Sequence, residues 1–145
     1  MVLRTVAGAR TGEDVADLRD WLLALEGGPA VTDVEVLSCG RHDEPAAWTF
    51  VEADVRAGVA RRRCLVCAHS TPLLDSDARW THPPMWMCSG CGQSIAEVAA
   101  GLSMPDGEHV EWVVLAARCV ECGRLAGLTD TVVAHRPLAE VRARL

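Results

Sequence analysis

Six of the seven cysteines in this 145-residue chain fall into three Cys-x-x-Cys pairs, Cys64/Cys67, Cys88/Cys91 and Cys119/Cys122, and the seventh, Cys39, stands three residues before His42. Two donors at i and i+3 on a tight turn can both reach an ion about 2.3 Å away, and two such turns complete the tetrahedron that zinc prefers. Four turns therefore make two sites. The odd cysteine count argues against a closed disulfide framework, and the first residues carry no long apolar stretch. A reducing, cytoplasmic setting is expected, in which paired cysteines hold metal. No run approaches membrane-spanning length, so no membrane partner is expected.

Which turns share an ion is not set by spacing, because the intervals between them, 21, 20 and 27 residues, are similar. The sequences Cys88-Ser-Gly-Cys91-Gly92 and Cys119-Val-Glu-Cys122-Gly123 both end in glycine, which permits the backbone dihedrals such a turn often needs after its second ligand. Paired with each other, they leave Cys39, His42, Cys64 and Cys67 as a second group. A 55-residue offset agrees, laying Arg63-Cys-x-x-Cys67 over Arg118-Cys-x-x-Cys122, Val59 over Val114, Leu73 over Leu128 and Asp75 over Asp130, as a duplicated unit would. The competing arrangement joins Cys64/Cys67 to Cys88/Cys91 and completes Cys119/Cys122 with Cys39 and His42, with His69 or with His82. Two zinc ions are expected; iron would also suit an all-cysteine set.

The two glycine-trailed turns resemble those of zinc ribbon and rubredoxin-like proteins. The resemblance covers roughly residues 34–133 at the level of motifs, and it implies β-hairpins around each metal. The first group departs from the pattern, with histidine in place of one cysteine and no glycine after Cys67.

Hydrophobic periodicity supplies the elements. A strand is expected over 2–7, then a helix started by Thr11 and Asp14 and running to Leu25, with Val15, Leu18, Trp21, Leu22 and Leu25 inward. Val34 and Val36 alternate as a strand, and residues 48–62 read as one long strand running into Cys64. Residues 71–84 read as a loop and 85–87 as a short strand into Cys88. Ser94 and Glu97 look like a capping box for a second helix with Ile95, Val98, Ala99 and Leu102 on one face. Strands over 110–117 and 125–133 follow. A terminal helix begins at Pro137, with Leu138, Val141 and Leu145 inward. The fold class is α+β: an N-terminal strand-helix-strand unit and two zinc-ribbon-like β-hairpin sites with short helices. Its segments are 1–33, 34–75, 84–133 and a C-terminal helix over 136–145.

Half the residues are apolar and 23% are charged, a globular composition. Lysine is absent, which excludes Schiff-base chemistry and the P-loop lysine. The net charge is −6, and seven ionised thiols against two divalent cations would take it to −9, so a phosphate backbone meets repulsion. The basic cluster Arg61-Arg62-Arg63 is the exception and the candidate nucleic-acid contact, although in a strand Arg62 faces away from the other two. His42-Asp-Glu44 followed by Cys64-x-x-Cys67 echoes the zinc deaminases, but no proline precedes Cys64 and Cys39 is placed to close the site. A thiol redox switch is a further reading. Trp80, in a polar loop, is a candidate protein contact, while His69, His82, His109 and His135 read as surface residues or spectators. The expected role is a non-enzymatic, protein-binding adaptor on structural zinc, with nucleic-acid binding second and a zinc hydrolase, deaminase or redox switch third.

Overall fold

The structure is a computed structural model that describes residues 11–145, so the strand expected over 2–7 lies outside it. Helix α1 (Val15–Leu23) is followed by strands β1 (Asp33–Leu37), β2 (Thr49–Asp54), β3 (Val59–Cys64) and β4 (Ser70–Pro72), and by a 3-10 turn over Ser76–Arg79. Strands β5 (Ala96–Ser103), β6 (His109–Cys119) and β7 (Leu125–Pro137) and helix α2 (Leu138–Arg142) complete the chain. Among the described residues the seven strands form one antiparallel sheet in the order β4-β3-β2-β5-β6-β7, with β1 paired to β5.

Three elements differ from the sequence reading. The segment 94–102 is the central strand β5, not a helix. It is covered on both faces, Ala99 packing toward α1 and Val98, Ala100 and Leu102 into the larger core. A strand buried on both sides has no alternation, and its continuous apolar run satisfies helical spacing by default. The long strand expected over 48–62 is the β2–β3 hairpin. Asp54 Oδ1 accepts the Arg56 and Ala57 amides (2.9 and 3.2 Å), and Gly58 takes a φ of +66° that ends the extended run. The loop over 71–84 contains the end of β4 and the 3-10 turn, while of 85–87 only Met85 bridges, to Glu52.

Helix α1 forms as expected but is capped three residues later, at Asp14, and ends two residues earlier, at Leu23. Its cap is Asp14, whose carboxylate accepts the Asp17 amide, and Asp17 reaches back to the Glu13 amide at 2.7 Å. Leu18, Trp21 and Leu22 bury against Val31, Ala99, Trp112 and Val114 on one face of the sheet. The other face carries the larger core, closed by Val141 and Leu145 at the C-terminal helix. There the sheet curls until β7 meets the β2–β3 turn, where Thr129 Oγ1 donates to the Asp54 carbonyl (2.9 Å). Arg142 pairs with Glu35 and Asp33, tying α2 to β1.

The hydrogen-bond register repeats itself about the middle of the sheet. Thr49 pairs with Cys64 and Ala96 with Cys119; the Leu65 amide donates to the Trp48 carbonyl and the Val120 amide to the Ile95 carbonyl, both at 3.1 Å. Leu37, two residues before Cys39, pairs with Val98 of β5. Trp86, two residues before Cys88, donates its amide to Val51 of β2 (2.8 Å). The lead-in segments are thus exchanged across the centre, where the equivalent residues Thr49 and Ala96 pair with each other.

Gly58 predicts a measurable cost. A Cβ there would sit 2.9 Å from the Asp130 carbonyl oxygen, in a dihedral that L side chains disfavour. Gly58→Ala should cost about 1–3 kcal/mol and lower the melting temperature by several degrees. An unchanged melt would show that the hairpin does not pack closely on β7.

Candidate metal centres

Three of the four turns share one backbone geometry. The residue after the second cysteine donates its amide to the carbonyl of the first: Ala68 to Cys64, Gly92 to Cys88 and Gly123 to Cys119, at 2.8–2.9 Å. The amide of each first cysteine is then taken by the carbonyl five residues on, at His69, Gln93 and Arg124. The turn needs a left-handed residue after the second cysteine, and Ala68, Gly92 and Gly123 have φ of 62°, 77° and 79°. Ala68 therefore adopts the glycine conformation without being glycine. Cys39 and His42 keep the spacing but not the turn. Cys39 exchanges both backbone hydrogen bonds with Ala46, closing a wider loop with Asp43, Glu44 and Pro45 exposed at its tip.

These turns bring eight donors together in two groups of four: Cys39, His42, Cys64 and Cys67, and Cys88, Cys91, Cys119 and Cys122. Within each group all ligand atoms lie within 4.8 Å of one another. The grouping is the one favoured by the trailing glycines and the 55-residue offset, and His69 and His82 belong to neither group. Cys39 Sγ is 3.8 Å from Cys67 Sγ and His42 Nε2 is 3.4 Å from Cys64 Sγ; Cys88–Cys122 and Cys91–Cys119 are both 3.5 Å apart. Around a tetrahedral ion with bonds of about 2.3 Å, neighbouring sulfurs lie about 3.8 Å apart, so these four contacts match edges of such a tetrahedron and both donor sets could hold a metal. In each group the first cysteine of either turn is buried at the end of the sheet, and Cys67, Cys91 and Cys122 are exposed.

Electrostatics divides the protons unequally. The Cys67 amide, against burial and with help from His42, brings Cys64 down to about 6. Cys39 stays above the ordinary thiol range: the Arg41 amide favours its thiolate, but burial and the Cys67 and Cys64 sulfurs outweigh it. In the second group, burial disfavours the Cys88 thiolate, yet the Cys91 and Gly90 amides and the neighbouring thiols bring it to about 7. Cys91 is pushed up to about 12, the Gln93 amide being overcome by burial and by its three sulfur neighbours. Cys122 is also raised, the Arg124 amide yielding to the Cys88 sulfur and burial. Like charges this close cannot all form unless a cation compensates them.

The three consecutive arginines divide as strand geometry requires. Arg61 makes a bidentate pair with Glu52 (3.0 and 3.1 Å) and lies over the Trp80 ring at 4.4 Å, and Arg63 approaches the same carboxylate at 3.6 Å. Arg62 points to the other face, where it donates to the Leu145 carbonyl at 2.8 Å. Burial lowers its pKa, opposed by the charges of Cys39 and Cys64, so this is the arginine that senses the first group. Glu44 of the deaminase-like pattern is exposed on the loop tip, and Cys39 supplies a fourth donor beside His42, Cys64 and Cys67. Comparison with protein-family models, with curated proteins and with solved structures finds no match for this chain.

Two outcomes follow from this geometry. Ala68→Gly should stabilise the metal-loaded protein by about 0.5–1 kcal/mol, the relief of a left-handed alanine less the entropy of glycine. Gly123→Ala should destabilise it, because its Cβ would meet the Gly12 carbonyl oxygen at 2.6 Å; thermal melting reads both. Metal affinity should fall as pH falls, because the ligands must lose protons to bind. With Cys91 and Cys122 raised, loading the four-cysteine group near neutral pH should release at least two protons per ion. Calorimetry in buffers of different ionisation enthalpy measures that number.

Proposed function

We propose that the chain is a small zinc protein in which Cys39, His42, Cys64 and Cys67 hold one structural ion and Cys88, Cys91, Cys119 and Cys122 a second. The observation that carries this reading is the closure of both groups: each offers four donors at tetrahedral spacing, which leaves no position for substrate or water. Zinc is favoured because it is redox-inert and accepts mixed sulfur and nitrogen ligation. In this reading residues 34–75 and 84–133 are two copies of one zinc-ribbon-like unit. The repeated register and the near-palindromic strand order support that common origin. Helix α1 and the C-terminal helix α2 then cover the two faces. Each ion would contribute on the order of 10 kcal/mol toward ordering its turns.

With no open metal position to support chemistry, the surface carries the function, and we assign it to contact with another protein. One face of the β2–β3 hairpin supports this. Trp48 is 49% exposed and Met87 62%, Met85 lies opposite Glu52, and Trp80 is stacked on Arg61. Aromatic, methionine and arginine side chains together are the composition of protein-contact hot spots. The alternative, nucleic-acid binding through Arg61, Arg62 and Arg63, has less behind it. Arg61 and Arg63 share the one carboxylate of Glu52, and Arg62 is turned into the protein. Deamination and thiol exchange would each need an open or metal-free site.

Elemental analysis with native mass spectrometry should find two zinc ions per chain that survive exhaustive buffer exchange, and one in Cys39→Ala. Two zincs remaining in Cys39→Ala, or iron in place of zinc, would overturn the ligand assignment. For the surface, proximity labelling followed by co-purification should recover one protein at fixed stoichiometry, lost on Trp48→Ala with both zincs retained. A salt-sensitive RNA or DNA complex lost with Arg61→Ala and Arg63→Ala would favour the alternative instead.

A further inference from the structure

At the end of β6 remote from Cys119, three further donors converge. Asp106, in the β5–β6 turn, His109, the first residue of β6, and His135, near the end of β7, bring one ligand atom each within 4.8 Å of the others. His109 Nδ1 lies 2.8 Å from Asp106 Oδ2, and His135 Nε2 lies 3.8 Å from the same oxygen. The two imidazoles are stacked, with centroids 4.2 Å apart and planes 13° from parallel. Lone pairs in parallel planes do not converge, so bringing one nitrogen of each ring to a shared ion requires one imidazole to turn out of the stack about χ2.

The surroundings are arranged as the outer shell of a metal site would be. Asp106 Oδ1 is occupied by the Glu108 and His109 amides (2.8 and 2.7 Å), which fixes the carboxylate and leaves Oδ2 turned to the imidazoles. His135 Nδ1 is 3.2 Å from Glu111 Oε1, the carboxylate–histidine contact that sets the tautomer of a ligating ring with Nε2 as donor. The backbone departs from regularity to make this possible. Between the pairs Val110↔Arg136 and Trp112↔Val132, three residues of β7 face one of β6, a bulge that lifts His135 over His109. His135 itself has a φ of +47°, a conformation that a histidine adopts at a cost.

We infer that Asp106, His109 and His135 form a third, solvent-open site for a divalent transition cation of the nickel, copper or zinc type. Two imidazoles and one carboxylate suit such ions, and leave positions for water or an incoming ligand. With bonds of about 2.1 Å, neighbouring donors lie about 3.0–3.4 Å apart, between the 2.8 and 3.8 Å separations seen here. On binding, the cation replaces the proton shared by His109 Nδ1 and Asp106 Oδ2. His109 then ligates through Nδ1 as a neutral ring whose one N–H is on Nε2, and its hydrogen bond to Asp106 is given up. The site is independent of the two cysteine groups, which lie at the opposite ends of β3 and β6.

The test is a titration of tag-free, zinc-loaded, isotopically labelled protein with Ni²⁺, read by paramagnetic broadening of amide signals. One saturable equivalent is expected, with broadening confined to residues around 106–111 and 133–137. Asp106→Asn, which keeps the Oδ1 acceptor, and His109→Gln should each weaken it at least tenfold. His135→Gly should abolish it while relieving the left-handed dihedral, so its loss of binding cannot be ascribed to unfolding. Glu111→Gln should weaken it about tenfold through the tautomer of His135. Absence of saturable binding, broadening centred on the cysteine turns, or binding unchanged in the histidine variants would each overturn the assignment.

Discussion

Four sulfur or nitrogen donors held within 4.8 Å of one another are the constraint on which this structure rests. Such a group is unfavourable by itself, because one ionised thiol raises the cost of the next, as the opposed shifts of Cys88 and Cys91 show. A divalent cation at the centre inverts that balance and turns mutual repulsion into attachment of four chain segments at one point. The segments attached are the ends of strands: Cys64 and Cys119 are the last residues of β3 and β6. Each ion would therefore close the open end of a hairpin whose other end is closed by an ordinary turn.

The two halves do not stand side by side. The segment leading into each metal group is paired to the hairpin of the other, β1 on β5 and Trp86 on β2, so neither half completes its hydrogen bonding without its neighbour. The join is built from small residues. Ala96, Ala99, Ala100 and Gly101 let β5 sit between two layers, and a Cβ at Gly101 would meet Val114 at 2.8 Å and Val31 at 3.0 Å. This close packing seats α1 on one face while the curled sheet encloses the larger core on the other.

The two donor groups were legible because their information is local. An i, i+3 pair defines a turn, and a trailing glycine defines its left-handed residue, so Cys88/Cys91 and Cys119/Cys122 could be matched without coordinates. The amphipathic stripe of α1 was legible for the same reason. Strand β5 was not, since burial on both faces erases the alternation that marks a strand, and a run such as Val98-Ala-Ala-Gly-Leu102 fits either period. The repeated register was half visible. The 55-residue offset holds after the hairpins, but Cys39 and Cys88 are 49 residues apart, because the β5–β6 hairpin is longer than β2–β3. The cluster of Asp106, His109 and His135 was invisible, because a bulge in β7 joins residues that no short motif relates.

What the sequence determined by itself was the donor chemistry and its quantity: seven thiols and His42, arranged in i, i+3 pairs sufficient for two closed tetrahedra, with arginine as the sole basic counter-charge. Tertiary structure decided between the two pairings of turns that the sequence left open, set Arg62 toward Cys39 and Cys64 while Arg61 and Arg63 are held by Glu52, and put the two donor groups on one sheet. The division has a physical cause. Ligand spacing within a turn is fixed by a few dihedrals, whereas the meeting of distant turns depends on strand register, and register is set by packing across the whole sheet.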